Sequence, residues 1–374
     1  MYLLIGIWGS ENRLYATVKF FIYTFVASVL MLVAIIYVGA KAGGTFDYVQ
    51  VRQTLQVTGS AQRWLFLAFA VAFAVKVPMF PLHTWLPDAH TEAPTAGSVL
   101  LAGVLLKMGT FGFFRYALPL FPEATLHYRS AIAVLAVIGI VYGALMCLVQ
   151  KDMKRLVAYS SVSHMGFVML GLMALTAEGL TGGVYQMLNH GVSTGALFLL
   201  VGMLYERRHT RLIAEYGGVA KRVPWIAAVF VVVTLSSIGL PGTNGFVGEF
   251  LILSGTWLAK LARAPWFSAV GATGVILGAV YMLLLVERVF FGPLQNKKNA
   301  GLLDLSLREW VVIAPLLLLI GVMGLMPQPF LDPARQPVDR LLSRFAQVER
   351  RLQESDPART PTTGTQPPAV AGRE

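Results

Sequence analysis

Apolar runs of about 20 residues recur along the chain, and that is the length an α-helix needs to cross a hydrocarbon layer about 30 Å thick. They fall at 18–40, 61–82, 95–118, 129–150, 154–175, 181–205, 224–255, 266–287 and 309–327. A soluble α/β enzyme of this size would instead show short strands alternating with amphipathic helices, and neither is visible here. The composition agrees: 56% of the 374 residues are hydrophobic and 13% charged, whereas a soluble domain carries roughly twice that charge. The chain is therefore expected to be all-α, a polytopic transmembrane helix bundle of nine segments. The opening "MYLLIGIWG" is too short to span and is expected to be the end of a helix.

Several chemistries are excluded at once. A single cysteine, Cys147, lies inside an apolar run, which rules out a disulfide framework, a Cys-rich zinc site or an iron–sulfur cluster held by this chain alone. No glycine loop of the phosphate-cradling type follows a strand. The net charge of +11 raises nucleic acid as a partner, but its distribution points to a lipid bilayer instead. Placing successive loops on alternate sides puts Arg13, Lys19, Lys151, Lys154, Arg155, Arg207, Arg208, Arg211, Lys221, Arg222, Arg288, Lys297, Lys298 and Arg308 on one face. The other holds only Lys41, Arg52, Arg63, Arg115, Arg129, Lys260 and Arg263. Cytoplasmic loops are the ones enriched in Lys and Arg, so the first face is cytoplasmic and no nucleic acid is needed.

Beyond Pro327, "PVDRLLSRFAQVERRL" sets Leu341, Leu342, Phe345, Val348 and Leu352 on one helical face, as in an interfacial amphipathic helix. This tail falls on the extracytoplasmic side. The last 20 residues, rich in Pro, Thr and Gly, are expected to be disordered.

Function is sought among ionisable residues inside the spans, since each costs about 2.5–3.5 kcal/mol at mid-membrane even on the mildest scale. Lys76, Lys107, His164, His190 and Glu249 pass that filter. Around Lys107, "SVLLAGVLLKMGTFGFF" leaves little prospect of reaching an interface. Desolvated lysine and glutamate can be brought toward the range in which protons exchange, and histidine starts there. Lys76 precedes Pro78 and Pro81, and Glu249 follows "GLPGTNG" at 239–245, so two spans combine a helix breaker with a buried charge. Discontinuous helices of this kind line ion paths in transporters. Structural readings stand beside these: Lys76 as an interfacial anchor, Lys107 in an ion pair, Glu249 as a cap of the half-helix, and the two histidines as packing residues. Asp88, Glu92, His83 and His90 read as turn, cap and interface residues, and Lys151, Asp152, Lys154 and Arg155 as a cytoplasmic loop.

Three strings, "AVKVPMFPLHTWLPDAHTEAPTAGSVLLAGVLLKMGTFGFFRY", "KDMKRLVAYSSVSHMGFVMLG" and "GLPGTNGFVGEF", resemble the antiporter-like membrane subunits of respiratory complex I. The opening "MYLLIGIWGSENRLYATVKFFIYTFVASVLM" and "HTEAPTAGSVLLAGVLLK" resemble the M or chain 4 branch. The likeness covers residues 1 to about 330. It implies a proton-translocating module of an NADH:quinone oxidoreductase in the bacterial inner membrane, with two inverted five-helix repeats among 14 helices. Lys76 then matches the central lysine of the first broken helix and Lys107 its bridging neighbour. His164 and His190 match a hydrated midplane axis, and Glu249 the acid of the second broken helix. NADH, flavin, iron–sulfur clusters and quinone would be bound by other subunits, with none in this chain, and the neighbouring partners would be the antiporter-like subunits L and N.

Residues 1–120 would form an incomplete first repeat, 121–305 the second, 306–330 a last helix and 331–374 the tail. Met1 falls where the family has an internal residue, so four earlier helices are expected to be missing, with a glutamate that pairs with the central lysine. Two other readings follow: a cation/proton antiporter subunit of an Mrp-like or hydrogenase-type complex, and a truncated, non-pumping assembly subunit.

Overall fold

A computed structural model describes residues 1–294 and 296–354, and the last 20 residues, expected to be disordered, lie outside the described residues. Among the described residues the chain is all-helical, with no strand beyond an isolated bridge between Asp152 and Leu212. The helices are α1 (Tyr2–Trp8), α2 (Arg13–Lys41), α3 (Tyr48–Thr54), α4 (Gly59–Lys76), α5 (Trp85–Glu92), α6 (Thr95–Leu120), α7 (Pro122–Leu148), α8 (Met153–Ala174) and α9 (Ala177–Arg208). They continue with α10 (Pro224–Ser237), α11 (Asn244–Trp257), α12 (Ala264–Phe290), α13 (Leu307–Leu325) and α14 (Gln328–Glu354). Seven of these (α2, α6, α7, α8, α9, α12 and α13) are long and apolar enough to cross a membrane. Of the other two expected spans, 224–255 is split into α10 and α11, while 61–82 is α4 followed by a break, with α5 beyond its expected end.

Helix α8 forms the axis. It is buried along its apolar length, while α2 and α13 are buried over only 17% of theirs. Around it pack α7, α9, α11 and α5. Its small residues explain how: a Cβ at Gly166 would stand 2.8 Å from the Ala136 carbonyl of α7, and one at Gly143 of α7 would stand 2.8 Å from the Ser163 amide. Apolar side chains are as soluble in lipid as in protein, so close backbone approach through small residues is what holds such helices together. Outward-facing Phe25, Val33, Ile36, Ile276, Val311 and Leu318 are exposed and suit contact with acyl chains.

The loops assigned to the cytoplasmic face bind one another. Arg207 pairs with Glu309 at 2.6 Å and donates to the Asp304 carbonyl. Arg208 donates to Asn299 and Glu215, Arg211 pairs with Asp152 at 3.1 Å, and Lys19 and Arg155 share Asp88. Lys154 departs from the expected solvated loop: it is buried and donates to the Ala93 carbonyl. Glu92 accepts from the Asn12 amide, an interface role as expected. At the opposite end, α14 carries the amphipathic tail but begins earlier than expected. Leu331, Ala334, Val338, Leu341 and Phe345 are its buried residues, a 3–4 spacing that keeps one face down.

The tight α7–α8 contact generates a paired test. Gly166→Ala places a methyl against backbone that has no room to give, and overpacking costs about 1–3 kcal/mol. Gly139→Ala, where nothing lies within 4 Å, should be neutral. Thermal melting of the assembled protein should fall for the first and hold for the second.

Candidate functional site

Each break releases backbone groups, and the structure shows what takes them up. At the first, residues 77–84 join α4 to α5. The Trp85 indole N–H donates to the Val75 carbonyl at 2.9 Å, and the Met79 amide to the Ala74 carbonyl at 2.9 Å. At the second, residues 238–243 join α10 to α11. Gly239 and Gly242 turn the chain there at φ +72° and +91°, conformations that side-chain-bearing residues avoid. The Asn189 amide of α9 donates to the Asn244 carbonyl at 2.8 Å and to Gln186 at 2.9 Å. Ser236 Oγ donates to Asn244 Oδ1 at 2.5 Å, and the Asn244 amide reaches Ser193 at 3.2 Å.

Lys107 sits in the middle of α6 between two π-helical turns, Leu101–Leu105 and Phe113–Ala117. A π turn lengthens the carbonyl-to-amide step from four residues to five, a device concentrated at functional sites. Here the Ala102 carbonyl of that turn accepts the Lys107 ammonium. Gly103 of α6 and Gly191 of α9 bring the helices together: a Cβ at Gly191 would lie 3.2 Å from the Gly103 carbonyl and 3.9 Å from Lys107 Cε. The ammonium thereby comes within 2.5 Å of His190 Nδ1.

From His190 the polar line continues. Its ring centroid is 5.8 Å from that of His164 on α8. His164 Nδ1 lies 3.3 Å from Glu249 Oε1, outside hydrogen-bond geometry, and its Nε2 is 3.4 Å from Ser237 Oγ. Gln186 donates to Glu249 Oε1 at 3.3 Å. A Cβ at Gly239 would stand 2.8 Å from Glu249 Oε2, so the carboxylate lies against the bend of the break. Glu249 is the sixth residue of α11, too far along to cap its N-terminus. His164, His190 and Glu249 are all buried.

Four of the five expected residues thus fall into one line, Lys107, His190, His164 and Glu249. Lys76 does not join it. It ends α4, half-buried, with no hydrogen bond or ion pair among the described residues, and it lines an apolar cavity of about 350 Å³ with Phe20, Phe21 and Trp85. Its Cβ nevertheless packs beside Gly109, two residues from Lys107.

Sequence reasoning missed the polar neighbours. Gln186, Asn189, His190 and Ser193 share one face of α9, and their 3, 4, 7 spacing in an otherwise apolar span was a readable signal. His90 of α5 was read as an interface residue. It is fully buried, stacked on Phe198 with ring centroids 4.5 Å apart, and neither ring nitrogen has a hydrogen-bond partner.

Comparison with known proteins follows the same lines. Residues 1–278 match the family described as NADH:quinone oxidoreductase/Mrp antiporter, TM. The chain is 48% identical to NADH-quinone oxidoreductase subunit M of Rickettsia bellii over 346 residues, covering 92% of this chain and 69% of that protein. To NADH-ubiquinone oxidoreductase chain 4 of Marchantia polymorpha it is 43% identical, covering 91% and 68%. Its fold superposes on respiratory complex I from Thermus thermophilus with a TM-score of 0.84 at 37% identity, covering 92% of this chain and 72% of that one. The Mrp complex from Dietzia sp. superposes with a TM-score of 0.77 at 20% identity, covering 89% and 69%, a likeness of fold alone. The chain belongs to the NADH:quinone oxidoreductase/Mrp antiporter transmembrane family, as a multi-pass, inner-membrane, proton-translocating subunit of the complex I M type.

Proposed function

We propose that protons move through this subunit along Lys107, His190, His164 and Glu249, driven by electron transfer from NADH to quinone elsewhere in the complex. The observation that carries this reading is the continuity of the line: ionisable groups from four helices succeed one another through a buried interior at 2.5 Å, one ring-to-ring step of 5.8 Å, and 3.3 Å. The Lys107–His190 pair is in hydrogen-bond contact, a small realignment would bring His164 Nδ1 and Glu249 into one, and a single water would span the ring-to-ring step.

The direction of each hop follows from the atoms. A proton leaving the Lys107 ammonium is taken by His190 Nδ1, and the imidazole releases its other proton from Nε2, which has no protein partner. His164 accepts in turn and delivers from Nδ1 to Glu249 Oε1. Histidine suits the interior positions because it takes a proton at one nitrogen and gives one from the other. Lys76, at the end of the first half-helix, is the loading group in this scheme, reaching Lys107 through a side-chain rotation along the α4–α6 contact. The breaks at 77–84 and 238–243 occupy matching places in two related helical units. The antiporter-like subunits L and N are its neighbours, and NADH, flavin, iron–sulfur clusters and quinone are held by other subunits.

Two substitutions separate carriers from scaffold. In the assembled complex, Lys107→Ala should leave assembly intact and lower proton pumping several-fold. Proton-to-electron stoichiometry measured in vesicles decides, and an unchanged rate and ratio would sink the scheme. Glu249→Gln keeps the shape and the Gln186 contact while removing the proton site, so pumping should fall with melting temperature nearly unchanged. Asn189→Leu removes two buried hydrogen bonds, to Gln186 Oε1 and to the Asn244 carbonyl, and should cost about 1–3 kcal/mol of stability, read as a lower melting temperature.

A further inference from the structure

On the extracytoplasmic face a cleft of about 710 Å³ opens between α14 and the segment joining α3 to α4. Four arginines line it, Arg52, Arg340, Arg344 and Arg351, against one carboxylate, Glu123. None of the four guanidinium groups makes an ion pair or a side-chain hydrogen bond among the described residues. Arg344 is half-buried, and its electrostatic neighbours are Arg52, of like charge, and the Tyr48 hydroxyl. The contrast is with the arginines clustered on the cytoplasmic face. Cytoplasmic Arg207, Arg208 and Arg211 each meet a carboxylate, and neighbouring Arg115 lies over the Tyr48 ring at 4.7 Å. Folding α14 onto the bundle through Val338, Leu341 and Phe345 therefore gathers four cations against a single carboxylate.

We propose that this cleft binds the phosphate of an anionic phospholipid headgroup from the extracytoplasmic leaflet. Guanidinium groups present paired donors that match phosphate oxygens, and basic pockets beside membrane spans hold anionic headgroups. The position suits a lipid. Leu120 and Pro122, where α6 ends and α7 begins, form the cleft floor, and the interfacial helix α14 forms its wall, so a headgroup enters at the depth of its own leaflet. The bound phosphate would fix α14 across the outer ends of the spans.

The test uses the assembled complex extracted from its native membrane. Phospholipid retained through detergent washing is quantified by mass spectrometry for the wild type, for Arg340→Gln with Arg344→Gln, and for Arg335→Gln, whose arginine pairs with Asp332 outside the cleft. The double variant should lose a retained anionic phospholipid and bind re-added phosphatidylglycerol about tenfold or more weakly, while Arg335→Gln matches the wild type. Unchanged retention in the double variant overturns the proposal. A second measurement on the wild type alone covers the case in which the double variant fails to assemble. A photoreactive phosphatidylglycerol should label the 338–354 peptide, and phosphatidylcholine carrying the same label should not. Equal labelling by both overturns the proposal, as does complete protection by inorganic phosphate alone, which would identify a free-anion site. Labelling blocked by an acidic segment of a neighbouring subunit seated in the cleft would overturn it too.

Discussion

A peptide group without a hydrogen-bond partner costs several kcal/mol in hydrocarbon, and two spans of this protein are broken inside the bilayer. Everything at the centre of the molecule depends on how those released groups are satisfied. At the first break Trp85 reaches back to the Val75 carbonyl. At the second, the amides of Ile238, Leu240 and Gly239 turn back to the Thr234, Leu235 and Ser236 carbonyls, while Asn189 crosses from α9 to the first turn of α11 and Ser193 and Ser236 hold the Asn244 side chain. The same α9 face that braces the second half-helix presents His190 to Lys107. Bracing the start of the second half-helix and lining the path are therefore done from one face of α9, by residues 186, 189, 190 and 193 together.

Burial sets the character of the line. Isolated charges of either sign are strongly disfavoured at this depth, yet a lysine and a glutamate stand at its two ends with two imidazoles between them. Each imidazole can take a proton at one nitrogen as it gives one from the other, so the interior positions relay charge without requiring it to reside there. The π turn at Leu101–Leu105 contributes in the same sense, because the Ala102 carbonyl supplies the Lys107 ammonium with an acceptor that an unbroken α-helix would have committed to its own amide.

Much of this was legible in the sequence, and the reasons differ from element to element. Nine spans follow from length and apolarity alone, and both breaks follow from proline and glycine beside a charge. Lys107 announced itself by depth. The residues that escaped notice are neutral: Gln186, Asn189 and Asn244 carry no charge to stand out against an apolar span, and their role lies in contacts between helices far apart in the chain. Lys76 shows the converse limit, since its charge and its neighbouring prolines were plain while its separation from the polar line depends on how α2, α4 and α6 pack. Lys154 was misplaced for a similar reason. Charge alone put it on a loop, but the Ala93 carbonyl at the end of α5 draws it inward.

The two faces of the membrane are held by different physics. On the cytoplasmic side, ion pairs and carbonyl contacts from Arg207, Arg211, Lys19 and Arg155 tie α2, α5, α8, α9 and α13 to one another. Proton transfer is intolerant of displacement, and a shift of 1 Å in a reacting pair can cost about a hundredfold in rate. A clamped cytoplasmic end keeps α8 and α9 in register and so preserves the His190–His164 step. The backbone ladder is interrupted elsewhere, at 77–84 and 238–243, so Lys76 and Glu249 sit beside breaks while both histidines sit within continuous helices.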